Sequence, residues 1–219
     1  LFCRAGVPGM RRVGDAMSAA RETAQSKGDA TRNALLGTAR AIVAKTGLDA
    51  LSINQLAEAS GMSKSGVFAH FGSKEELQVE ILKDAARAYR HQVVDPAMDL
   101  PPGRGRLLKF VELWQAWAAA LDGGCLFIAG ASEFDDRPGP VRDTLARMQS
   151  GLRTFLIERI EEAAATGELP ADTDAAQVAF EIFGAYLALH HDKRLLDDPQ
   201  ATHRAWRAIR ARLGLPSEN

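Results

Sequence analysis

A chain of 219 residues is long enough for one large domain or two small ones, and 46% hydrophobic with 25% charged residues is the balance of an ordinary water-soluble globular protein. No apolar run reaches the roughly 20 residues that a bilayer-spanning helix needs. Two cysteines, Cys3 and Cys125, far apart and outside any C-x-x-C pair, argue against a disulfide framework or a thiolate zinc site, so a reducing cytoplasm is expected.

The net charge of −1 is unevenly spread. Residues 1–30 carry five Lys/Arg against three Asp/Glu, residues 31–91 eight against six, and residues 92–219 fourteen against nineteen. The front of the chain is mildly basic and the remainder acidic, a weak pointer to an anion-binding N-terminal part. Residues 1–30 show no sustained apolar period and too little apolar content for a secretory signal. They are expected to form a mobile arm in which Arg4, Arg11 and Arg12 can trail along phosphates, with Met10 and Met17 as candidate translation starts.

From Thr31 onward the apolar residues recur at helical spacing and no alternating, β-branched run is long enough for a sheet, so the predicted fold class is all-α. The first helix is predicted over Thr31–Thr46, with Leu35, Ala39, Ile42 and Val43 on one face and Gly47 as its stop. A short second helix follows the capping box Ser52-Ile53-Asn54-Gln55, and a third begins at Ser63 and ends near Phe71-Gly72. A fourth starts at Ser73-Lys74-Glu75-Glu76 and runs through Leu77, Ile81, Ala85, Ala88 and Tyr89 to about Val94. The proline-rich stretch Asp95–Arg104 reads as a break. Beyond it, helices are expected over Leu107–Leu121, Cys125–Phe134, Val141–Ala165, Asp172–His191 and Ala201–Leu213. The implied organisation is an arm over 1–30, a three-helix bundle with a helix-turn-helix over 31–76 and a larger helical domain over 77–219.

The most informative stretch is Leu56-Ala57-Glu58-Ala59-Ser60-Gly61-Met62-Ser63-Lys64-Ser65-Gly66-Val67. Ala57 is small where two helices must cross closely, Gly61 can take the positive φ of a tight turn, and Leu56, Met62 and Val67 plug the angle between the helices. This is the spacing of a helix-turn-helix. The continuation Ser63-Lys64-Ser65-Gly66-Val67-Phe68-Ala69-His70-Phe71-Gly72-Ser73-Lys74-Glu75-Glu76-Leu77 resembles the signature of the TetR family. In that family the recognition helix ends in Tyr-x-His-Phe, followed by x-Ser/Asn-Lys-Glu-x-Leu. The resemblance covers Thr31 to Leu82. Gly123-Gly124-Cys125-Leu126-Phe127, Glu133 and Pro138-Gly139-Pro140-Val141-Arg142 also look like the C-terminal domain of one subgroup. It implies a DNA-binding regulator whose partners are double-stranded operator DNA, a second copy of itself and a small-molecule effector, with no cofactor and no membrane association.

In the helix-turn-helix, Ser63 can cap the recognition helix, while Lys64 and Ser65 project from its first turn, where side chains reach base edges in the major groove. Gly66 leaves the helix surface bare for a close approach to the groove. Phe68 departs from the family's Tyr and has no hydroxyl for a phosphate, leaving apolar contact with a thymine methyl or sugar edge. His70 matches the family's His and can donate to a phosphate, and Lys74 sits in the first turn of a helix whose free N–H groups also favour one. Thr31, Arg32, Ser52 and Asn54 are further phosphate candidates.

One such unit makes too few contacts for selective binding in a genome, so two copies on successive major grooves are expected. The predicted dimer interface is formed by Val141–Ala165 and Asp172–His191, where Gly151 and Gly184-Ala185 leave bare patches. By the family resemblance the later helices enclose an effector pocket, for which Phe110, Trp114, Trp117, Cys125, Phe127, Phe155, Phe183, Tyr186 and His190 are the candidate lining; the effector would be hydrophobic or aromatic. Cys125 is read as a buried inert thiol rather than a sensor, since no basic residue lies near it in sequence. His190-His191-Asp192 places its adjacent histidines on different helix faces and does not read as a metal site. Two other classes stay open on the sequence: an all-α enzyme, for which no phosphate-cradling glycine loop, G-x-S-x-G or H-E-x-x-H is found, and a helical protein-interaction adaptor.

Overall fold

A computed structural model describes residues 11–120 and 123–216, with side chains from residue 27 onward. The described residues form an all-helical fold with no strand: α1 (Arg11–Thr46), α2 (Ile53–Ser60), α3 (Lys64–Phe71), α4 (Lys74–Tyr89), α5 (Asp95–Met98), α6 (Arg104–Ala119), α7 (Leu126–Phe134), α8 (Pro140–Ala165), α9 (Ala175–Arg194) and α10 (Ala201–Arg212).

The small N-terminal helices stop and start where their side chains satisfy backbone groups that a helix end leaves open. Ser52 accepts from the N–H of Gln55 while Gln55 Oε1 accepts from the N–H of Ser52, closing the capping box at α2. Gly61 ends α2 in the left-handed region at φ 67°, and the N–H of Met62 returns to the Ala57 carbonyl at 3.0 Å. Ser63 then accepts from the Gly66 N–H to start α3, and Ser73 from the Glu76 N–H to start α4.

Two expected boundaries move. Helix α1 begins at Arg11 rather than Thr31, so residues 11–30 continue the first helix instead of forming an arm, while residues 1–10 lie outside the described residues. The segment 11–30 is rich in Ala and Arg, which favour a helix without an apolar stripe to announce it. The fourth helix does not stop cleanly near Val94: α4 passes into a π-helical turn over Arg90–Val94 and then into α5, so part of the expected break is helical. Pro96 has no N–H to offer the α ladder, and the Asp95 N–H bonds to the Arg90 carbonyl one residue wider than usual.

Two cores organise the chain. The N-terminal core buries Leu35, Leu36, Val43, Leu56, Val67 and Phe71, and the C-terminal core gathers Phe110, Trp114, Leu156, Ile160, Ile182 and Tyr186. The N-terminal core also takes Leu77, Ile81 and Leu82 from α4, Phe134 from α7 and Val141 and Leu145 from α8. The helix-turn-helix is thus seated on the ends of three helices of the larger domain.

A candidate DNA-reading helix and an internal cavity

Among the described residues, α3 presents the surface expected of a reading element. Val67 and Phe71 point inward and are buried, while Lys64, Ser65, Phe68 and Ala69 share one exposed face. Phe68 is 54% exposed, although an aromatic ring in water gains nothing from staying there. Ser63 spends its hydroxyl oxygen on the cap of α3 and lies 3.1 Å from the Ser65 hydroxyl. Gly66 has a role beyond bareness: a methyl group there would lie 3.2 Å from both Ser63 Oγ and Met62 Cε, so glycine leaves room for the cap itself. His70 is half-exposed at the end of α3.

The other candidates are more constrained. Lys74 donates to the Asp49 carbonyl and lies 3.6 Å from the Asp49 carboxylate, which also pairs with Arg137 at 2.7 Å. Those two cations hold the Asp49 carboxyl below its usual value, Arg137 first; burial opposes them. Thr31 returns its hydroxyl proton to the Lys27 carbonyl. Arg32 pairs with Glu80 at 2.8 Å and lies over the Phe71 ring, so it fastens α1 to α4 instead of standing free for a phosphate. Ser52 serves as the α2 cap, and Asn54 beside it is exposed.

The larger domain holds a partly open cavity of about 660 Å³ between α4, α6, α7, α8 and α9. Of the nine residues expected around a pocket, the structure brings Trp114, Trp117, Cys125, Phe127, Phe155, Phe183 and Tyr186 together on its wall. Phe110 is fully buried behind that wall, 4.9 Å from the Phe155 ring and 5.8 Å from that of Trp114, and does not reach the space. His190 faces a second space between α6, α9 and α10, and its Nε2 accepts from the Cys125 N–H at 3.3 Å. Burial, then Arg194 and His191, hold its pKa below the usual value. Lining residues that sequence reasoning missed are Tyr89, Arg90, Met98, Met148, Gln149 and Leu152. The π turn carries Arg90 to the rim beside Asp95, 3.3 Å away, and the Gln149 amide nitrogen donates to the Phe127 carbonyl.

The polar groups inside are neutral. Burial raises the pKa of Tyr89, Tyr186 and Cys125, so hydroxyls and thiol keep their protons. The buried Tyr89 hydroxyl has no hydrogen-bond partner, and the Cys125 thiol and the Trp114 indole lie against the hydroxyl of Tyr186.

A third feature is the outer face of α8 and α9. Gly151 and Gly184 have open space where a side chain would stand, and Phe180 and Leu187 flank Gly184 at 60% and 39% exposure. Among the described residues no His, Cys, Asp and Glu side chains are grouped as metal ligands would be, and no helix is long and apolar enough to cross a membrane.

The model of the bacterial regulatory proteins of the tetR family matches residues 35–81, and that of the tetracyclin repressor-like C-terminal domain matches residues 103–209. No curated protein sequence matches the chain significantly. Among solved structures, a TetR transcriptional regulator from Chloroflexus aurantiacus superposes with a TM-score of 0.75 at 24% identity, covering 86% of this chain and 95% of that one. A TetR-family regulator from Cytophaga hutchinsonii gives 0.75 at 16% identity over 88% and 98%. AibR in complex with isovaleryl coenzyme A and operator DNA gives 0.63 at 22% identity over 80% and 96%. At these identities the superpositions show a shared fold, and the two family models, in order along one chain, supply the rest: the protein belongs to the TetR family and is a transcriptional regulator, not an enzyme.

Proposed function

We propose that this regulator is a repressor that binds a palindromic operator as a homodimer and is released by a small, predominantly apolar effector held in the cavity of the larger domain. One observation carries the reading: a single chain holds both an exposed reading face on α3, with Lys64, Ser65 and Phe68 side by side, and a predominantly apolar, partly open cavity in the larger domain. Lys64 and Ser65 stand in the first turn of α3, where side chains reach base edges, and Phe68 one turn on offers its ring to a thymine methyl. His70, Lys74, Asn54, Ser52 and Thr31 flank this face at the backbone-contacting ends of their helices, with Lys74 exchanging Asp49 for a phosphate on binding.

The outer face of α8 and α9 is the dimer contact. It is glycine-flattened at Gly184 and carries apolar Phe180 and Leu187, and successive major grooves require a two-fold arrangement that sets the two reading heads about 34–36 Å apart, one turn of duplex. An effector acts by binding more tightly to a conformer whose heads miss that spacing. AibR, which shares the fold and was solved in complex with isovaleryl coenzyme A and operator DNA, supports a reading in which one chain takes both a small molecule and DNA.

The test is a gel-shift titration on DNA flanking the protein's own gene at several salt concentrations, repeated with a panel of apolar compounds. Sequence-specific binding with steep salt dependence, relieved by at least one compound, is the expected result. Binding indifferent to salt and sequence would overturn the reading and favour a protein-interaction adaptor.

A further inference from the structure

Lys74 is contested by a carboxylate of its own chain, and that carboxylate has a second cation supplied by the larger domain. Lys74 Nζ lies 2.5 Å from the Asp49 carbonyl oxygen and 3.6 Å from Asp49 Oδ1, while the guanidinium of Arg137, in the link between α7 and α8, lies 2.7 Å from Asp49 Oδ2. The two oxygens of one carboxylate therefore serve a lysine at the edge of the helix-turn-helix and an arginine from beyond it. These groups are anchored. Glu133 accepts from the Asp49 N–H at 2.6 Å, the Arg137 N–H returns to the Phe134 carbonyl at 3.2 Å, and the Arg137 guanidinium lies 5.6 Å from the ring of Phe134, itself buried in the N-terminal core. Arg142 fastens the same link by donating to the Asp135 carbonyl at 2.8 Å.

When a phosphate takes Lys74, Asp49 loses one of its two cations at the moment another negative charge arrives. A phosphate oxygen bound by the ammonium sits about 2.8 Å from it, and Asp49 Oδ1 starts 3.6 Å from the same nitrogen, so the two anions come well within the roughly 10 Å over which 0.1 M salt leaves charges unscreened. A bare carboxylate there would repel the phosphate and pull the lysine back. Arg137 opposes both effects, because it remains on Oδ2 while Lys74 leaves Oδ1. Its guanidinium stays charged throughout the pH range in which proteins fold. The Lys74, Asp49 and Arg137 side chains are 46%, 45% and 56% exposed, so water and salt moderate each interaction and the expected effect is a few fold rather than orders of magnitude.

We infer that Arg137 is a positioning residue for DNA binding: by holding and neutralising the Asp49 carboxylate it leaves Lys74 free to give its charge to a phosphate, while touching no phosphate itself. This rests on the reading of Lys74 as a backbone contact. Arg137 follows α7, whose first turn lines the cavity, so the charge on a DNA-contacting lysine is set from the domain that holds the ligand space.

The test is a double-mutant cycle on the full chain, read as affinity for a duplex from the DNA flanking the protein's own gene at about 0.1 M salt. Arg137→Ala is expected to bind about three- to tenfold more weakly, the scale of one exposed ion pair lost in each of two heads, and Arg137→Lys to keep most of the affinity. Asp49→Asn should bind at least as tightly as the parent. In that background Arg137→Ala should change nothing, since the arginine has no charge left to neutralise. A second readout needs no DNA: the Asp49 carboxyl, followed by carbon NMR, should titrate closer to its ordinary value in Arg137→Ala than in the parent. Parent-like affinity in Arg137→Ala overturns the inference, as does an Asp49 titration that does not move. An equal loss in the Asp49→Asn background overturns it too, by making Arg137 a phosphate contact in its own right. Failure of the larger reading looks different: the parent itself would bind that duplex without salt dependence, and both would fall together.

Discussion

The carboxylate of Glu133, on the last turn of α7, accepts hydrogen bonds from the backbone N–H groups of Asp49 at 2.6 Å and Leu48 at 3.2 Å. These two amides belong to the corner between α1 and α2, at the edge of the helix-turn-helix. Gly47 is part of the same joint: at φ 87° it bends the chain, and a methyl group on it would lie 2.6 Å from Glu133 Oε1. At its other end α7 begins at the cavity wall, with Cys125, Phe127 and Ile128. One nine-residue helix therefore touches the cavity with its first turn and the helix-turn-helix domain with its last. Movement at one end has a short, stiff route to the other.

Replacing Glu133 by Ala should strand two partly buried N–H groups and cost about 1–3 kcal/mol. Amide hydrogen exchange gives the local readout: Leu48 and Asp49 should exchange faster in Glu133→Ala, with α10 unchanged. If those two amides keep their protection, Glu133 does not hold the corner. In a gel shift with a releasing compound, the same variant should need more compound for half-release, because the joint between cavity and head is loosened.

The link before α7 makes a second close approach. A methyl group on Gly123 would lie 1.7 Å from the carbonyl oxygen of Ala44 on α1, and no rotamer can relieve a clash with backbone. Gly123→Ala should destabilise the protein by about 1–3 kcal/mol through the backbone shift it forces. Gly37→Ala, on a helical position of α1 with nothing within 4 Å, is the control and should be neutral or stabilising by up to about 1 kcal/mol. Chemical denaturation midpoints of the two variants check the contrast, and equal midpoints would contradict it.

Much of this was legible in the residues. Ser52, Ser63, Ser73 and Gly61 are local signals, each satisfying backbone groups within four positions of itself, and they place α2, α3 and α4 without reference to the rest of the chain. Trp114 and Tyr186 were visible as large apolar residues on their helices, but whether a ring faces a cavity or fills a core depends on what lies opposite, and Phe110 shows the other outcome at the same helical spacing. Tyr89 joined the apolar stripe of α4, and the π turn after it gave no periodic signal. The pairing of Glu133 with amides some 85 positions away leaves no short-range pattern at all. The start of α1 was missed for the opposite reason, since its first twenty residues favour a helix by composition while lacking an apolar period.

Lys64 and Lys74 should separate in their effect on DNA binding. Lys64 is exposed on the reading face, while Lys74 is held by Asp49 in the absence of DNA. In a salt titration of operator affinity, Lys74→Ala should reduce the slope of log K against log salt by about 0.9, the release associated with one phosphate, with similar losses on every sequence. Lys64→Ala should cost about 1–3 kcal/mol on the preferred operator and less on mismatched ones, relaxing base preference. An unchanged slope for Lys74→Ala would place that lysine in the Asp49 ion pair alone.

The α8 and α9 face makes a prediction about assembly. Phe180 lies open on α9 and contributes nothing to the core of its own chain. Phe180→Glu should leave the melting behaviour of the isolated subunit intact but bring charge onto an apolar contact, shifting sedimentation from dimer to monomer at micromolar concentration and abolishing tight operator binding. A variant that still sediments as a dimer would move the interface elsewhere.

Cys125 supplies a pH dependence with a definite sign. Burial raises its thiol above the usual value of 9.0, against the smaller opposing influence of the Ile128 and Phe127 backbone and of Tyr186. A group whose folded pKa is raised contributes stability that is complete below the unfolded value and is lost as pH climbs through it toward the folded one, because the unfolded chain releases a proton that the folded chain retains. Denaturation midpoints should therefore fall as pH climbs above about 9 in the parent and fall less in Cys125→Ala, whatever the absolute cost of that substitution. The same protonated state should make Cys125 slow toward iodoacetamide at neutral pH when measured in a Cys3→Ser background. Rapid alkylation there, or a pH slope identical in parent and Cys125→Ala, would mean that the thiol is more accessible than its place on the cavity wall implies.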